Sequence, residues 1–442
     1  MSHADDVLAL YDSATYTTGV PHAAIDRLRA DSPVVWVPEP ALNGWPEGSG
    51  YWAVLTHGAV KEVLRTPEVF SSHEGGTQLR TPGTADDLHF VRQMMLNQDP
   101  PEHSRLRGLL VKAFIPRAVA ALEAAIAERS RSLVADAVAR ADAAGHREVD
   151  LVSDVVGDLP VAVLAEVLGV PPEDRGLLYD WSNRVIGYQD SDYASSAAFD
   201  PDLGTDMARA ALAQRPRPGA DGSMPDPRTR AGLADLYAYA HSLAEYRRAE
   251  PGDDIVSLLL QATYEGTTLS NAEFEGLFFL FAVAGNETLR NGIPGAMLTL
   301  IEHPAVYERL LADPDRLPAA VDELLRFWPP VIHFRRTAVR DVELAGQSIA
   351  AGDKVAVYHV AANRDPAVFT EPHTLDIDRT TNDHVTFGFG PHFCIGSHLA
   401  RLQMRSMLGE IFTQMGQVRL AGEPVRLQSN FQQGLKSLRV AW

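Results

Sequence analysis

The chain has 442 residues, 45% hydrophobic and 22% charged, the composition of a soluble globular protein able to bury a large core. Its net charge of −19 argues against a nucleic-acid partner, because phosphate binding needs basic surface. With one cysteine it cannot close an intramolecular disulfide, so nothing calls for an oxidising compartment and a cytoplasmic location is expected.

The first thirty residues lack the basic start and apolar stretch of a signal peptide. Strand signals cluster at Val34–Val37 and Tyr51–Leu55. Asp99-Pro100-Pro101-Glu102 opens a segment in which His103 and Arg107, four apart, share a helical face. Ala/Leu-rich periodicity predicts helices at Arg117–Ala144, Leu159–Leu168, Leu233–Arg248, Glu273–Glu302 and Ala319–Phe327. Residues 195–232, dense in proline, glycine and arginine, read as a loop with some local structure. Strands return at Val342–Leu344 and Lys354–Tyr358, with Gly346 and Gly352 at the turns, and a last helix follows over Ser397–Phe412. The sum is mainly α with a small β region, an α+β architecture.

Three polar constellations interrupt this scaffold. The apolar stretch Leu277–Leu300 is long enough to span a membrane, but Asn286, Glu287, Thr288, Arg290 and Asn291 occupy its centre, so a buried helix with a polar site is expected rather than a membrane anchor. Within it, Ala284 and Gly285 leave room beside the helix, and Glu287 and Thr288 set a carboxylate next to a hydroxyl, a plausible proton route. Pairing of Glu287 with Arg290 three residues on is the plainer alternative. Glu323 and Arg326 lie one turn apart and can form a bidentate pair. Finally Cys394 sits in Phe387-Gly388-Phe389-Gly390-Pro391-His392-Phe393-Cys394-Ile395-Gly396, just before the last helix. Helix N–H groups and the positive dipole end there favour thiolate over thiol. A lone cysteine is otherwise most often a small buried hydrophobe.

The run at Phe387, Gly388, Gly390, His392, Cys394 and Gly396 resembles the haem-binding loop of the cytochrome P450 family. Ala284–Thr288 resembles that family's oxygen-binding groove, and Glu323-Leu324-Leu325-Arg326 its Glu-x-x-Arg helix. Ala362-Asn363-Arg364-Asp365-Pro366 and the tail Ser429–Lys436 extend the likeness from about Tyr51 to the C-terminus. The resemblance implies a single domain over residues 1–442, with haem b between the long central helix and the cysteine loop. It implies iron ligation by Cys394, cofactor contacts at Ala284, Gly285, Phe387, Gly388 and Gly396, and propionate contacts at His103, Arg107, Arg336 and His392. Glu287 and Thr288 would deliver protons, while Glu323 and Arg326 would be structural. The family's third basic partner for that pair is expected in Pro372-His373-Thr374-Leu375, which lacks it, leaving Arg379 or Arg364 to compensate.

The implied activity is a monooxygenase that uses dioxygen and two electrons to hydroxylate or epoxidise a hydrophobic small molecule. Asn286, Arg290-Asn291 and the tail lean toward the branch acting on steroids, terpenoids and related lipids. Phe281, Val331, Ile332 and Phe431 are the implied substrate contacts, and 195–232 the implied lid over the entrance. Lacking flavin and nicotinamide fingerprints, the chain would take electrons from a ferredoxin and its reductase, through a basic patch of Arg105, Lys112, Arg401 and Arg405. A peroxide-driven haem-thiolate enzyme and a non-catalytic haem sensor are the alternatives, both disfavoured by the Glu287–Thr288 pair.

Overall fold

A computed structural model describes residues 2–81, 83–190, 192, 199–220, 224–227, 229–264 and 267–442. Of the expected lid, residues 195–198, 221–223 and 228 lie outside the described residues. Two compact units result: Met1–Arg80, Val119–Leu159 and Thr288–Trp442 form one, and Thr81–Ala118 with Pro160–Glu287 the other.

The first unit is built on a five-stranded sheet of β1 (Val34–Val37), β2 (Tyr51–Val54), β3 (Phe70–Ser71), β4 (His333–Ala338) and β5 (Lys354–Tyr358). Its order is β1-β2-β5-β4-β3, with β5 parallel to β2 and the other pairs antiparallel. In β5, Val355 and Val357 pack on one face with Val54, Val63 and Phe70, and Ala356 and Tyr358 on the other with Leu10, Ile25 and Tyr51. A strand covered on both faces reads as an unbroken apolar run, which is why β5 was legible. The adjacent β4, sequence HFRRTA, carries two arginines and was not expected, yet Arg335 and Arg336 are both buried. Its register sets Arg336 opposite Val355, and Thr337 opposite Ser71 of β3.

The expected helices form with shifted ends. The 117–144 segment divides into Pro116–Ala120 and Glu123–Ala143, with no glycine or proline at the break to announce it. The Glu323 helix begins earlier than expected, at Leu317, because Pro318 falls in the first turn, where its missing N–H is not needed. The Cys394 helix runs Ser397–Met415. The long helix spans Asn271–Glu302 and includes Pro294. Among the described residues no helix is long and apolar enough to cross a membrane.

In the second unit the helices Glu102–Phe114, Arg175–Ile186 and Ala234–Ala249 accompany the first half of the long helix. The 195–232 stretch is not all loop, since it contains the helix Asp206–Leu212, capped by the Thr205 hydroxyl on Ala208 N.

Two buried histidines make the first unit acid-sensitive. Burial, with a smaller contribution from His359, pushes His333 down to about 3; burial also dominates at His359, held at about 4. Unfolded, both would take a proton near 6.5, so the unfolded chain binds more protons as pH falls below that value. Stability is therefore present in full above pH 6.5 and is lost toward pH 4, with a slope approaching about 1.4 kcal/mol per pH unit for each histidine. Urea midpoints between pH 7.5 and 4.5 should fall accordingly, and less steeply in His333→Leu. Equal slopes in the two proteins would refute this assignment.

Candidate active site

The cysteine loop is shaped by its own backbone. Gly388 and Gly390 take φ of +73° and +70°, values that side chains disfavour. At Gly390 a Cβ would also stand 2.7 Å from Leu64 O, so the loop lies directly on the His57–Arg65 helix. The Cys394 amide donates to Phe387 O at 2.8 Å, Gly388 N to Val385 O at 2.8 Å, and Phe393 N to Gly390 O at 3.0 Å. The following helix starts at Ser397 with Gly396 as its cap and no side-chain capping bond, and Cys394 itself is exposed. The result is an accessible thiol on a fixed loop, just before a helix N-terminus.

Arg336 and His392 are joined through β3. Ser71 pairs with Thr337, next to Arg336, while the Ser72 hydroxyl lies 3.4 Å from His392 Nε2. Arg336 is buried and donates to Arg335 O at 2.8 Å. The two-residue β3 gives no periodicity signal, so this bridge was not legible beforehand.

The Glu323–Arg326 pair is buried and bidentate, with both contacts at 2.7 Å. Arg326 also donates to Asn363 O, Pro372 O and Thr374 O at 2.8, 2.9 and 3.1 Å. Glu323 accepts further bonds from Asp376 N, Arg379 Nε and Asn382 Nδ2 at 2.9, 3.3 and 3.2 Å. The third basic partner is thus Arg379, beyond the Pro372–Leu375 segment in which it was sought. Arg364 instead holds Phe327 O and His373, and His373 pairs with Asp26. Asn363 carries the scaffold onward to the cysteine loop, because its Oδ1 accepts from Val385 N and its Nδ2 donates to the Thr386 hydroxyl, both at 2.8 Å.

In the second unit, His103 is buried and Arg107 half-buried on the Glu102–Phe114 helix. Phe281 is buried and stacked on Phe114 at 5.7 Å. On the long helix Ala284 is exposed, Gly285 half-buried and Glu287 buried. A Cβ at Gly285 would come within 2.9 Å of Leu164. In the first unit, Thr288 is half-buried. Val331, Ile332 and Phe431 are brought together, with Ile332 N donating to Phe431 O at 2.9 Å and Val331 bridged to Gln432. Ile332 is fully buried and belongs to the sheet core beside Tyr51 and Tyr358.

The proposed docking cations are largely engaged. Arg105 pairs with Glu273, Arg405 with Glu123, and Arg401 with Asp322 at 2.7 Å, while Lys112 is exposed. Asp322, which precedes Glu323, is pushed up by burial but pulled further down by His384 and Arg401, so its carboxyl ionises below the usual range.

Among the described residues no group of three or more His, Cys, Asp or Glu side chains could hold a metal ion. Haem iron brings its other ligands with it and needs one thiolate from the protein. A single thiolate, glycine-built backbone beside it, and a guanidinium and an imidazole joined through β3 for two carboxylates fit an iron porphyrin.

Comparison with known proteins gives the same direction. The family profile described as cytochrome P450 matches residues 242–415. The chain is 36% identical to the methyl-branched lipid omega-hydroxylase of Mycobacterium tuberculosis, over 99% of this chain and 95% of that protein. It is 35% identical to the steroid C26-monooxygenase of Rhodococcus jostii, over 97% and 83%. Among solved structures it is similar to a Mycobacterium marinum cytochrome P450 in complex with pseudoionone, with TM-score 0.81, 34% identity, and coverage of 95% of this chain and 94% of that one.

Proposed function

The chain belongs to the cytochrome P450 family, a haem-thiolate monooxygenase with haem b as cofactor, and from that premise we propose that it hydroxylates a terminal carbon of a branched, hydrophobic lipid. The observation that carries the reading is the exposed Cys394 thiol on its backbone-bonded loop. The family's axial ligand is a cysteine, and this chain has one.

Haem ligated by thiolate supplies dioxygen activation and insertion of one oxygen atom into a C–H bond. The overall reaction, RH + O2 + 2e− + 2H+ → ROH + H2O, takes two protons from the protein side. Glu287 is the acid and Thr288 the hydroxyl that orders water for their delivery. Burial of Glu287 keeps this route away from bulk solvent. Arg336 and His392, with His103 and Arg107, would hold the haem propionates, and Phe387, Gly388, Gly396, Ala284 and Gly285 would be the other residues to hold the cofactor. Phe281, Val331 and Phe431 form the apolar surroundings that hold the substrate and exclude water, whereas Ile332, expected with them, is taken up by the sheet core.

The substrate class rests on two relatives whose names share a position: the omega carbon of a methyl-branched lipid and C26 of a steroid are both ends of branched aliphatic tails. The described residues 199–220 of the 195–232 segment cover the entrance, and a ferredoxin with its reductase delivers electrons near Lys112, which is exposed.

Turnover of a methyl-branched fatty acid and of a cholestane-type steroid with a ferredoxin system should yield the terminal alcohol. Thr288→Ala should lower product per electron pair by about tenfold or more, the size expected for loss of a proton-transfer group, with hydrogen peroxide released instead. Coupling equal to the parent's removes Thr288 from the route. Product formed with peroxide but not with reductase favours the peroxide-driven alternative.

A further inference from the structure

The second unit buries a cluster of three charged side chains. Asp180, Arg184 and Asp235, on the helices Arg175–Ile186 and Ala234–Ala249, are at most 9% exposed. Arg184 bridges the two acids, at 3.2 Å to Asp180 and 2.6 Å to Asp235, and donates to Gly232 O. Trp181 Nε1 donates to Asp235 at 3.1 Å. Two carboxylates and one guanidinium leave this cluster one negative charge in excess.

The missing positive charge comes from the segment over residues 199–220. Arg215 donates to Asp180 Oδ1 at 2.8 Å, and at 35% side-chain exposure it is the solvent-side member of the group. Pro216 restricts the Arg215 backbone to extended geometry, which limits the freedom lost when the pair forms. The near end of the same segment is tied differently, through neutral donors. The Thr205 amide and hydroxyl donate to Asp174 at 2.8 and 2.6 Å, and Tyr239 donates to the same carboxylate at 2.8 Å.

We propose that Arg215 is a positioning residue that latches the 199–220 segment shut by neutralising the buried Asp180–Arg184–Asp235 cluster, so that passage of bulky substrates is gated by this one ion pair. The proposal rests on the reading of the segment as the cover of the substrate entrance. Opening the segment withdraws Arg215 and leaves a buried carboxylate with half of one guanidinium, a state that costs far more than losing a surface pair. Burial already pushes the Asp180 carboxyl up, against the pull of Arg184 and Arg215 and with help from Asp235. The helix that carries Asp180 is also seated on the long helix, where Ser182 Oγ donates to Val283 O, one residue before Ala284. Closure is thereby registered against the helix that lines the site.

In the haem-loaded protein, Arg215→Gln should raise the association and dissociation rates of econazole, a bulky azole read by the shift of the haem band, about tenfold and leave those of imidazole unchanged. Amide hydrogen exchange over residues 199–220, which needs no haem, should rise by a similar factor. Asp180→Asn removes the same ion pair from its other side and should raise both readouts by a similar factor, with the double variant no faster than either single one. Mere loss of Arg215 packing would leave Asp180→Asn at the parent's rates. Unchanged exchange in Arg215→Gln or in Asp180→Asn overturns the latch. Exchange that rises while econazole rates stay fixed overturns instead the reading of the segment as the entrance cover.

Discussion

Cys394→Ser is expected to erase the thiolate signature of the haem protein. The carbon monoxide complex of the reduced parent should show a strongly red-shifted Soret band, and the reduced variant should lose it. Hydroxylation should fall by at least about 10³-fold, the scale on which loss of a central catalytic group is felt. The argument is local: the loop is held by Cys394 N on Phe387 O, Gly388 N on Val385 O and Phe393 N on Gly390 O, all backbone bonds that serine preserves. What changes is the ligand atom, since a serine hydroxyl stays neutral even at the start of the Ser397–Met415 helix, where a thiol is drawn toward ionisation. The thermal transition should therefore move little while the spectrum changes completely. A variant that keeps the red-shifted band would mean that the axial ligand is not this residue, and the active-site reading would fall with it.

Much of this site was legible because its residues are contiguous. The Phe387–Gly396 loop, the Ala284–Thr288 segment and the Glu323–Arg326 turn each state their geometry in a few neighbouring positions, where helical spacing and glycine placement carry direct meaning. The apolar strands β1, β2 and β5 were legible for the same reason. What escaped was whatever depends on distant chain. β4 hides behind Arg335 and Arg336, whose burial is decided by β3 and β5 on either side. Arg379 and Asn382 reach Glu323 from more than fifty residues away, and no local pattern says that the chain returns there. The Ser72–His392 contact joins segments separated by 320 positions through a strand of two residues. The latch formed by Asp180 and Arg215 was invisible for a related reason, since an arginine in a proline-rich stretch looks like ordinary solvated charge.

Arg326→Lys should cost about 3–5 kcal/mol of stability, and much of the bound haem, despite keeping the charge. The guanidinium has five N–H donors, and all five are used: Nε and one Nη2 hydrogen on Glu323, the other Nη2 hydrogen on Thr374 O, and the two Nη1 hydrogens on Asn363 O and Pro372 O. An ammonium offers three donors on a flexible stem and cannot span acceptors fixed on three separate stretches of chain. At least two buried acceptors would go unfilled, each costing about 1–3 kcal/mol. The damage should spread along the bonded path, from Asn363 to Val385 and Thr386 and then to Gly388 at the base of the cysteine loop. Replacing Glu323 and Arg326 together by leucines should not rescue the protein, as it can for an isolated buried ion pair, because three backbone carbonyls and the donors of Asp376, Arg379 and Asn382 would remain buried and unpaired. Denaturant midpoint and haem-to-protein ratio are the readouts. An Arg326→Lys protein with the parent's values for both would show that charge alone, and not the five-donor geometry, holds this part of the fold.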